Sequence, residues 1–262
     1  MPGEPDRLPL LDLALQAARE GSQIMLSRVP EASPEIKGAG DYVTQVDLAS
    51  EHAITRVLTS GEPGIPVVGE EEGGRREDRY WSVDPLDGTT NFVHGFPLVG
   101  VSIALVEDGR PVVGVVAAPF LEETYVALRG GGARLLRSGA EPRLLEVSRR
   151  EPAAAVVATG FPFRHKERLP RYLRAFERCL ERFEDLRRPG AASLDLAWVA
   201  AGVFDGFFEL GLSPWDVAAG ALLIEEAGGV VSDWGGGSNY LAGDILAGPA
   251  SVHAELRSIV AG

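Results

Sequence analysis

Cysteine is almost absent from this chain. Cys179 is the only cysteine among its 262 residues, so no disulfide can form within the chain. Cys179 lies in a predicted helix that carries no obvious catalytic partner, and we predict a structural role for it. Long apolar runs are missing as well, because even residues 112–120 are short for a bilayer span and contain Gly114 and Pro119. The first residues show no basic segment leading into an apolar one, so we predict a cytoplasmic protein.

Positive charge is also scarce. The chain has 25 Lys and Arg against 38 Asp and Glu, which gives a formal net charge of −13. A nucleic-acid surface is normally basic, so we expect neither nucleic acid nor membrane as a partner. Small phosphorylated ligands stay compatible with this charge, because a bound cation reverses the local sign of an acidic site. The arginines of residues 164–188 alternate with glutamates, which is typical of a solvated helix face.

The residue pattern divides the chain into two parts. The first part predicts two helices and then a mostly antiparallel sheet, with the Asp-Gly pair 108–109 as a hairpin turn. From about Pro152 strands and helices alternate, which predicts an α/β lobe. We therefore expect two closely packed lobes, 1–150 and 151–262. The predicted helices are 10–28, 44–58, 170–183, 193–201 and 215–227; the predicted strands are 65–68, 80–83, 98–106, 111–117, 124–128, 133–137, 155–159 and 203–209. Two further segments, 245–247 and 252–260, close the chain.

The most informative stretch is residues 84–92, which read DPLDGTTNF. The four residues before it look like a short buried strand, so we expect Asp84 to emerge where that strand stops. A turn at Pro85 and Asp87-Gly88 would then aim both carboxylates and the Leu86 carbonyl at one point. Oxygen ligands of this kind suit Mg²⁺ together with a phosphate group. Taken alone, the same dipeptides are equally consistent with a plain chain reversal.

Three further acidic residues have two readings each. Glu70 follows a predicted strand, so a neighbouring strand could bring it to the same crevice as Asp84, although three consecutive glutamates also suit a solvated loop. Asp47 and Asp216 each lie three residues after a Ser or Thr, as in a capping box. Helix-end stabilisation alone would account for either of them.

Together these segments resemble the inositol monophosphatase family, the Mg²⁺-dependent and lithium-sensitive phosphatases. One family signature matches residues 84–92, and a second matches WDVAAG at 215–220, followed by EEAGG at 225–229. GEE at 69–71, DYVTQVD at 41–47 and FDGFFE at 204–209 stand in family order. The resemblance covers nearly the whole chain and favours the functional readings of Glu70 and Asp216. It implies a layered αβαβα sandwich, usually dimeric, which is compatible with the two-part α+β and α/β pattern.

The resemblance also implies a ligand set. Glu70, Asp84 and the Leu86 carbonyl would hold one Mg²⁺ ion, and Asp84, Asp87 and Asp216 a second. A third, weaker ion near Glu70 is often inferred for the family. Two ions at such a site activate a water and neutralise charge on the phosphate, so no phosphoenzyme is required.

The resemblance assigns the remaining roles to side chains and amides. Thr89, linked to Asp47, would orient and help to deprotonate the water together with Glu70, while the Gly88 and Thr89 amides would bind the phosphate. Lys37 matches a family lysine near the site.

Substrate recognition is implied at Glu209, which matches a position that contacts a substrate hydroxyl, and at Ala192, which lies in the segment over the substrate ring. This chain carries Ala191 where relatives usually have Ser or Thr, and Ser213 where animal members have His. The expected function is hydrolysis of a small sugar or polyol phosphate, with inositol 1-phosphate the leading candidate. Fructose 1,6-bisphosphate, histidinol phosphate, phosphoadenosine phosphate and NADP are alternatives, and a catalytically idle regulatory module is the alternative of another class.

Overall fold

The computed structural model describes residues 4–28, 35–38, 41–43 and 45–261, with side chains for 7–28 and 45–261. The helices are α1 (Glu4–Arg28), α2 (Gln45–Gly61), α3 (Thr89–Val93), α4 (Leu169–Arg182), α5 (Ala192–Ala200), α6 (Pro214–Glu226) and α7 (Ala250–Ala261). The strands are β1 (Glu35–Gly38), β2 (Asp41–Val43), β3 (Val67–Gly69), β4 (Arg79–Asp87), β5 (Gly100–Glu107), β6 (Arg110–Ala118), β7 (Glu123–Leu128), β8 (Gly132–Arg137), β9 (Arg143–Leu144), β10 (Val156–Thr159), β11 (Asp185–Arg187), β12 (Gly206–Glu209), β13 (Val230–Ser232) and β14 (Ile245–Gly248). None of the described helices is both long and apolar enough to cross a bilayer.

The first large sheet follows chain order from β3 to β9. Its strands pair antiparallel except for β3 and β4, which run parallel. The predicted hairpin between β5 and β6 is confirmed, and its turn uses Asp108 and Gly109 at φ 49° and 72°. Positive φ at both central residues is the requirement of a two-residue hairpin turn, which explains the Asp-Gly pair.

The second large sheet has the order β11-β10-β12-β14-β13. Strands β10, β11 and β12 run parallel, whereas β14 pairs antiparallel with both β12 and β13. The alternation of strand and helix that we predicted for this part of the chain is confirmed.

Three apolar cores lie between five layers, and the middle core extends over both sides of α5 and α6. Helices α1 and α2 pack on one face of the first sheet, α5 and α6 lie between the two sheets, and α4 and α7 cover the outer face of the second. Side chains of β5 alternate accordingly: Ile103 and Leu105 face the outer helices, and Ala104 and Val106 face the middle layer. The αβαβα sandwich is therefore confirmed, with Cys179 buried in the third core.

The strand before the DPLDGTTNF segment ends later than we predicted. We expected it to stop at Asp84, but β4 continues to Asp87. Pairing with β5 is regular up to Asp84 and resumes, after a shift in register, at Asp87 opposite Gly100. Pro85 has no N–H to donate, so the ladder is interrupted there while the backbone stays extended. The turn comes at Gly88, whose φ of 91° favours glycine.

Candidate active site

Two parallel strands deliver the first two acidic side chains to one pocket. The N–H of Glu70, just after β3, donates to the Val83 carbonyl at 3.2 Å, which places Glu70 beside Asp84. Both residues line the same pocket, together with Leu86, Asp87 and Asp216. The sequence prediction that adjacent strands bring Glu70 and Asp84 to one crevice is confirmed.

Asp84 organises the backbone that follows it. Its Oδ1 accepts the N–H of Leu86 at 2.9 Å, and the Ser50 hydroxyl donates to the Pro85 carbonyl at 3.0 Å. Asp84 and Leu86 are buried. The interrupted ladder after Asp84 is thus supported from both sides, and the local backbone has a fixed shape.

Thr89 begins α3 and connects it to α2. Its Oγ1 lies 3.0 Å from Oδ1 of Asp47 and 3.2 Å from the Leu86 carbonyl oxygen, so the single hydroxyl proton has two acceptors. Asp47 is buried in the first turn of α2. The structure therefore brings Asp47, which lies 42 residues before Thr89 in the sequence, to Thr89 and the Leu86 carbonyl.

Asp87 is held from α5 by a residue that sequence reasoning missed. Both the N–H and the hydroxyl of Ser193 donate to Oδ2 of Asp87, at 2.7 and 2.6 Å. Ser193 is fully buried at the start of α5. A serine near a helix start has an ordinary explanation in helix-end chemistry, so nothing local in the sequence marked it.

Asp216 reaches the pocket from the first turn of α6. Its Oδ2 accepts the N–H of Ser213 at 2.6 Å, which is the carboxylate half of the capping box that we predicted. The Ser102 hydroxyl of β5 donates to the Trp215 carbonyl at 2.7 Å and ties this helix start to the first sheet. Helix capping uses one carboxylate oxygen of Asp216.

Glu51 of α2 holds the loop that carries Glu70. Its two carboxylate oxygens accept the N–H groups of Glu71 and Glu72, each at 2.8 Å, and Glu51 itself is buried. Gly69 makes room for this carboxylate, because a Cβ at Gly69 would overlap it. Sequence reasoning missed Glu51, which looks like any helix glutamate.

Asn91 joins the first signature to the loop before α5. Its amide nitrogen donates to the Leu98 carbonyl at 2.7 Å and to the Pro189 carbonyl at 3.0 Å. Gly88 approaches the same loop, since a Cβ there would lie 3.3 Å from that of Ala191. The start of α3 and the start of α5 are therefore positioned relative to each other.

The carboxylates shift one another's titration. Burial, and then the negative charges of Glu70, Asp87 and Asp216, raise the pKa of Asp84 well above its usual range. Burial and the charge of Asp216 raise the pKa of Asp87 to about 7, against the two Ser193 hydrogen bonds. Burial also raises the pKa of Asp216. Negative charge is thus concentrated where little water screens it.

Two arginines lie at the same pocket. The Arg164 guanidinium is 3.3 Å from Oε1 of Glu70. The Arg188 guanidinium lies over the rings of Phe161 and Phe163, 5.5 and 5.4 Å from their centroids. All of these side chains line the pocket and add positive charge and an aromatic surface to it.

Further acids lie beyond the aspartates. Glu209 at the end of β12 is buried, and burial followed by the charge of Asp216 raises its pKa to about 8. Gly160 allows this packing, because a Cβ there would overlap the Glu209 carboxylate. Ala192 and Asp195 of α5 line the same region, and Asp195 is another residue that sequence reasoning missed.

The donor chemistry of the pocket fits divalent cations. Asp84, Asp87 and Asp216 are buried carboxylates that repel one another, and hard cations prefer carboxylate and carbonyl oxygens. In the part of the chain with described side chains, no three Asp, Glu, His or Cys residues stand in a ready coordination geometry. Backbone N–H groups and Ser193 occupy oxygens of the three aspartates instead. The side chain of Lys37 lies outside the described residues.

Comparisons with a family model, with curated proteins and with solved structures agree on one family. The model of the inositol monophosphatase family matches residues 6–261. The Nus factor SuhB of Escherichia coli K12 is 43% identical over 259 residues, covering 96% of each chain. The extragenic suppressor protein suhB of Bartonella henselae has a TM-score of 0.88 at 36% identity, covering 96% of this chain and 98% of that one. An inositol monophosphatase from Anabaena (Nostoc) sp. PCC 7120 has a TM-score of 0.86 at 34% identity, covering 96% and 95%. A family match across nearly the whole length, with the αβαβα order and the clustered acids, has one reading: the chain belongs to the inositol monophosphatase family.

Proposed function

We propose that this protein is a Mg²⁺-dependent phosphomonoesterase that hydrolyses a small polyol or sugar phosphate. Family membership supports a phosphatase that binds metal. The observation that carries the proposal is the convergence of Glu70, Asp84, Asp87 and Asp216 on one pocket with Thr89. These residues come from strands β3 and β4 and from helices α3 and α6. Stabilisation of separate helices and turns does not explain why all of them meet at one pocket.

The proposed metal ligands are those expected from the sequence. Glu70, Asp84 and the Leu86 carbonyl would hold one ion, and Asp84, Asp87 and Asp216 another, and a third, weaker ion would lie beside Glu70. When bound, such ions lower the pKa of an attacking water and offset charge on the phosphate oxygens. The buried aspartates then gain opposite charge in place of mutual repulsion.

The protein's own groups would orient the reactants. Thr89 accepts or donates through one hydroxyl whose partners are Asp47 and the Leu86 carbonyl, so a water beside Thr89 would have a proton acceptor chain ending on Asp47. Glu70 would share that role. Gly88 and Thr89 lie at the turn into α3 and line the pocket, where their N–H groups would bind phosphate oxygens.

The alcohol part of the substrate would lie towards α5 and β12. Ala192 and Glu209 line that region, and Glu209 offers a carboxyl group to a hydroxyl. Inositol 1-phosphate is our leading substrate. Ala191 and Ser213 differ from the common family pattern and adjoin this region, so they are the positions where a different alcohol would be selected.

Phosphate release from a panel of esters tests the proposal. We expect inositol 1-phosphate to be hydrolysed in Mg²⁺ and not in chelator, ahead of fructose 1,6-bisphosphate, histidinol phosphate, phosphoadenosine phosphate and NADP. Asp216→Asn should abolish release. Mg²⁺-dependent release from another ester alone would keep the class and replace the substrate, whereas full activity of Asp216→Asn would reject the metal assignment.

A second candidate function follows from the names of relatives. Several proteins 40–45% identical to this chain are named Nus factor SuhB. A regulatory role of that kind does not require turnover. The test is growth of an Escherichia coli strain that lacks its own SuhB. If both the wild type and Asp216→Asn restore growth, the regulatory role is supported. If the wild type alone restores growth, catalysis is favoured.

Assembly and location complete the proposal. Family resemblance leads us to propose a homodimer, and the likeness to bacterial proteins named Nus factor SuhB leads us to propose a cytoplasmic location. Sedimentation equilibrium of the full chain would measure the first, and fractionation of the source cells the second.

A further inference from the structure

Asp195 is a buried acidic residue, and the described part of the fold does not compensate the cost of burying it. It lies in the first turn of α5 and is 1% exposed. Its Oδ1 is buried without a hydrogen-bond partner among the residues with described side chains. Burying a carboxylate oxygen without a partner opposes folding, and the favourable effect of an acid in a helix's first turn is small by comparison.

Asp205 shows what a structural aspartate looks like in the same sheet region. It is fully buried at the start of β12. One of its oxygens accepts the N–H of Val156 at 2.7 Å, and the other accepts from Arg150 at 3.0 Å. Each oxygen of Asp205 has a partner within the chain, so its burial is compensated. Asp195 lacks this arrangement.

The place of Asp195 indicates what would compensate it. It lines the pocket that holds the proposed metal ligands, and it interacts electrostatically with Glu209 and with Asp87. The Arg188 guanidinium acts on both Asp195 and Glu209 with opposite charge. Asp195 and Glu209 are thus two acids close together at the end of the pocket assigned to the alcohol.

We propose that Asp195 is a specificity-determining residue that, together with Glu209, binds two hydroxyl groups of a polyol leaving group. This inference rests on the proposed phosphatase function. Hydroxyl groups donate hydrogen bonds to carboxylate oxygens, so a diol supplies the partner that Oδ1 of Asp195 lacks. Rotation about the last torsion of an aspartate is soft, which allows that oxygen to turn towards a ligand.

The proposed pair of Asp195 and Glu209 predicts a preference for phosphates of polyols over phosphates of simple alcohols. A site built around buried polar groups rejects an analogue that lacks the matching hydroxyls, because those groups then stay unpaired. An ester of a plain ring alcohol would leave both Asp195 and Glu209 without partners. The chemical class recognised is therefore a phosphate ester with at least two further hydroxyls on the alcohol.

The test compares two substrates that differ only in hydroxyl groups. Inositol 1-phosphate and cyclohexyl phosphate share a six-membered ring and a phosphate. In Mg²⁺ we expect the wild type to prefer inositol 1-phosphate in kcat/KM, and Asp195→Ala to reduce that preference about 10- to 100-fold, the range of a hydrogen bond to a charged group. Asp195→Asn should reduce it less, because one acceptor oxygen remains.

Melting temperature separates recognition from a structural role. Asp195→Ala and Asp195→Asn should melt no lower than the wild type, since both replace a buried, incompletely hydrogen-bonded carboxyl group with a side chain that cannot carry a negative charge. Asp205→Asn is the matched control, and it should melt lower while leaving the substrate preference unchanged. The half-saturating Mg²⁺ concentration of the Asp195 variants should also stay at the wild-type value.

The possible failures are distinguishable. A wild type that hydrolyses neither ester in Mg²⁺ overturns the proposed function and this inference with it. A wild type that hydrolyses both equally, or Asp195 variants that lose both activities in equal proportion, overturns the inference and leaves the phosphatase intact. Asp195 variants that fail to fold would assign the residue a structural role and overturn it too.

Discussion

At the scale of single residues, several groups of the site also have ordinary structural roles. The sequence alone therefore does not show that they belong to a functional site. Asp216 caps its own helix with one oxygen, and Asp47 occupies a helix first turn. Either residue alone would be explained by helix stability. Only the three-dimensional structure shows that Thr89 contacts Asp47, that Ser193 contacts Asp87, and that Asp87 and Thr89 line one pocket.

Thr89 provides a prediction about catalysis. Thr89→Ala removes the hydroxyl that contacts Asp47, so we expect turnover of inositol 1-phosphate to fall about 10²- to 10⁴-fold, the usual contribution of a positioned proton acceptor. Thr89→Ser keeps the hydroxyl and should retain much of the activity. Steady-state phosphate release measures both variants, and equal loss in the two would show that the methyl group, rather than the hydroxyl, matters.

Asp87 provides a prediction about metal and stability. In chelator, the raised pKa of about 7 means that folded Asp87 binds a proton more tightly than unfolded Asp87. The contribution of Asp87 to the free energy of unfolding therefore falls as pH rises from about 4 to about 7. Asp87→Asn removes that loss, so in chelator at pH 8 it should melt above the wild type.

Addition of Mg²⁺ should reverse that order. The wild type gains melting temperature because the ion binds the folded state, whereas Asp87→Asn gains little. Differential scanning fluorimetry with and without Mg²⁺ measures both effects. A Mg²⁺-induced increase of equal size in the two proteins would exclude Asp87 as a ligand.

At the scale of elements, the end of β3 depends on a residue from another helix. Gly69→Ala would place a Cβ against the Glu51 carboxylate and displace it from the N–H groups of Glu71 and Glu72. We expect the Glu70 loop to shift and the half-saturating Mg²⁺ concentration to rise several-fold. Gly64→Ala is the control, because a Cβ there meets open space at an ordinary φ. Unchanged Mg²⁺ dependence in Gly69→Ala would separate Glu51 from the site.

The long elements were predictable from sequence because their patterns extend over many residues. Helices α1, α2, α4, α5 and α6 and the hairpin β5–β6 all lie where periodicity and the Asp-Gly turn placed them. Strands β11 and β13 were missed, since three residues show no alternation. The predicted strand 203–209 begins only at Gly206, because residues 201–205 form the turn after α5.

The site was predictable to the extent that its residues belong to long signatures. Glu70, Asp84, Asp87, Thr89 and Asp216 line one pocket as the resemblance implied, and their roles as ligands stay predictions. Ser193, Glu51 and Asp195 act through contacts between distant segments. A single buried serine or acid carries no local pattern, so only the fold identifies such residues.

At the scale of the whole molecule, the middle core joins the two halves of the chain. It contains Ala104 and Val116 of the first sheet together with Leu196 and Leu222 of α5 and α6 and Phe207 of the second sheet. Neither half could bury these side chains without the other. The division at residue 150 therefore separates two sequence patterns that share one core.

This shared core predicts the behaviour of fragments. We expect residues 1–150 and 151–262, expressed separately, to lack a cooperative thermal transition, and the full chain to unfold in one step. Circular dichroism during heating measures all three. A fragment 151–262 that melts cooperatively by itself would show instead that the second lobe is an independent domain.

The Asn91 amide fixes the spacing between charged segments without carrying charge itself. Its two N–H groups connect the loop before β5 and the loop before α5 to the start of α3. These two hydrogen bonds therefore do not depend on the ionisation of the acids or on bound metal, unlike those that the carboxylates of Glu51, Asp84 and Asp216 accept from backbone N–H groups. Exchange of one acidic side chain of the pocket leaves both Asn91 hydrogen bonds in place, so related chains can differ in their acids and keep the spacing between these two loops.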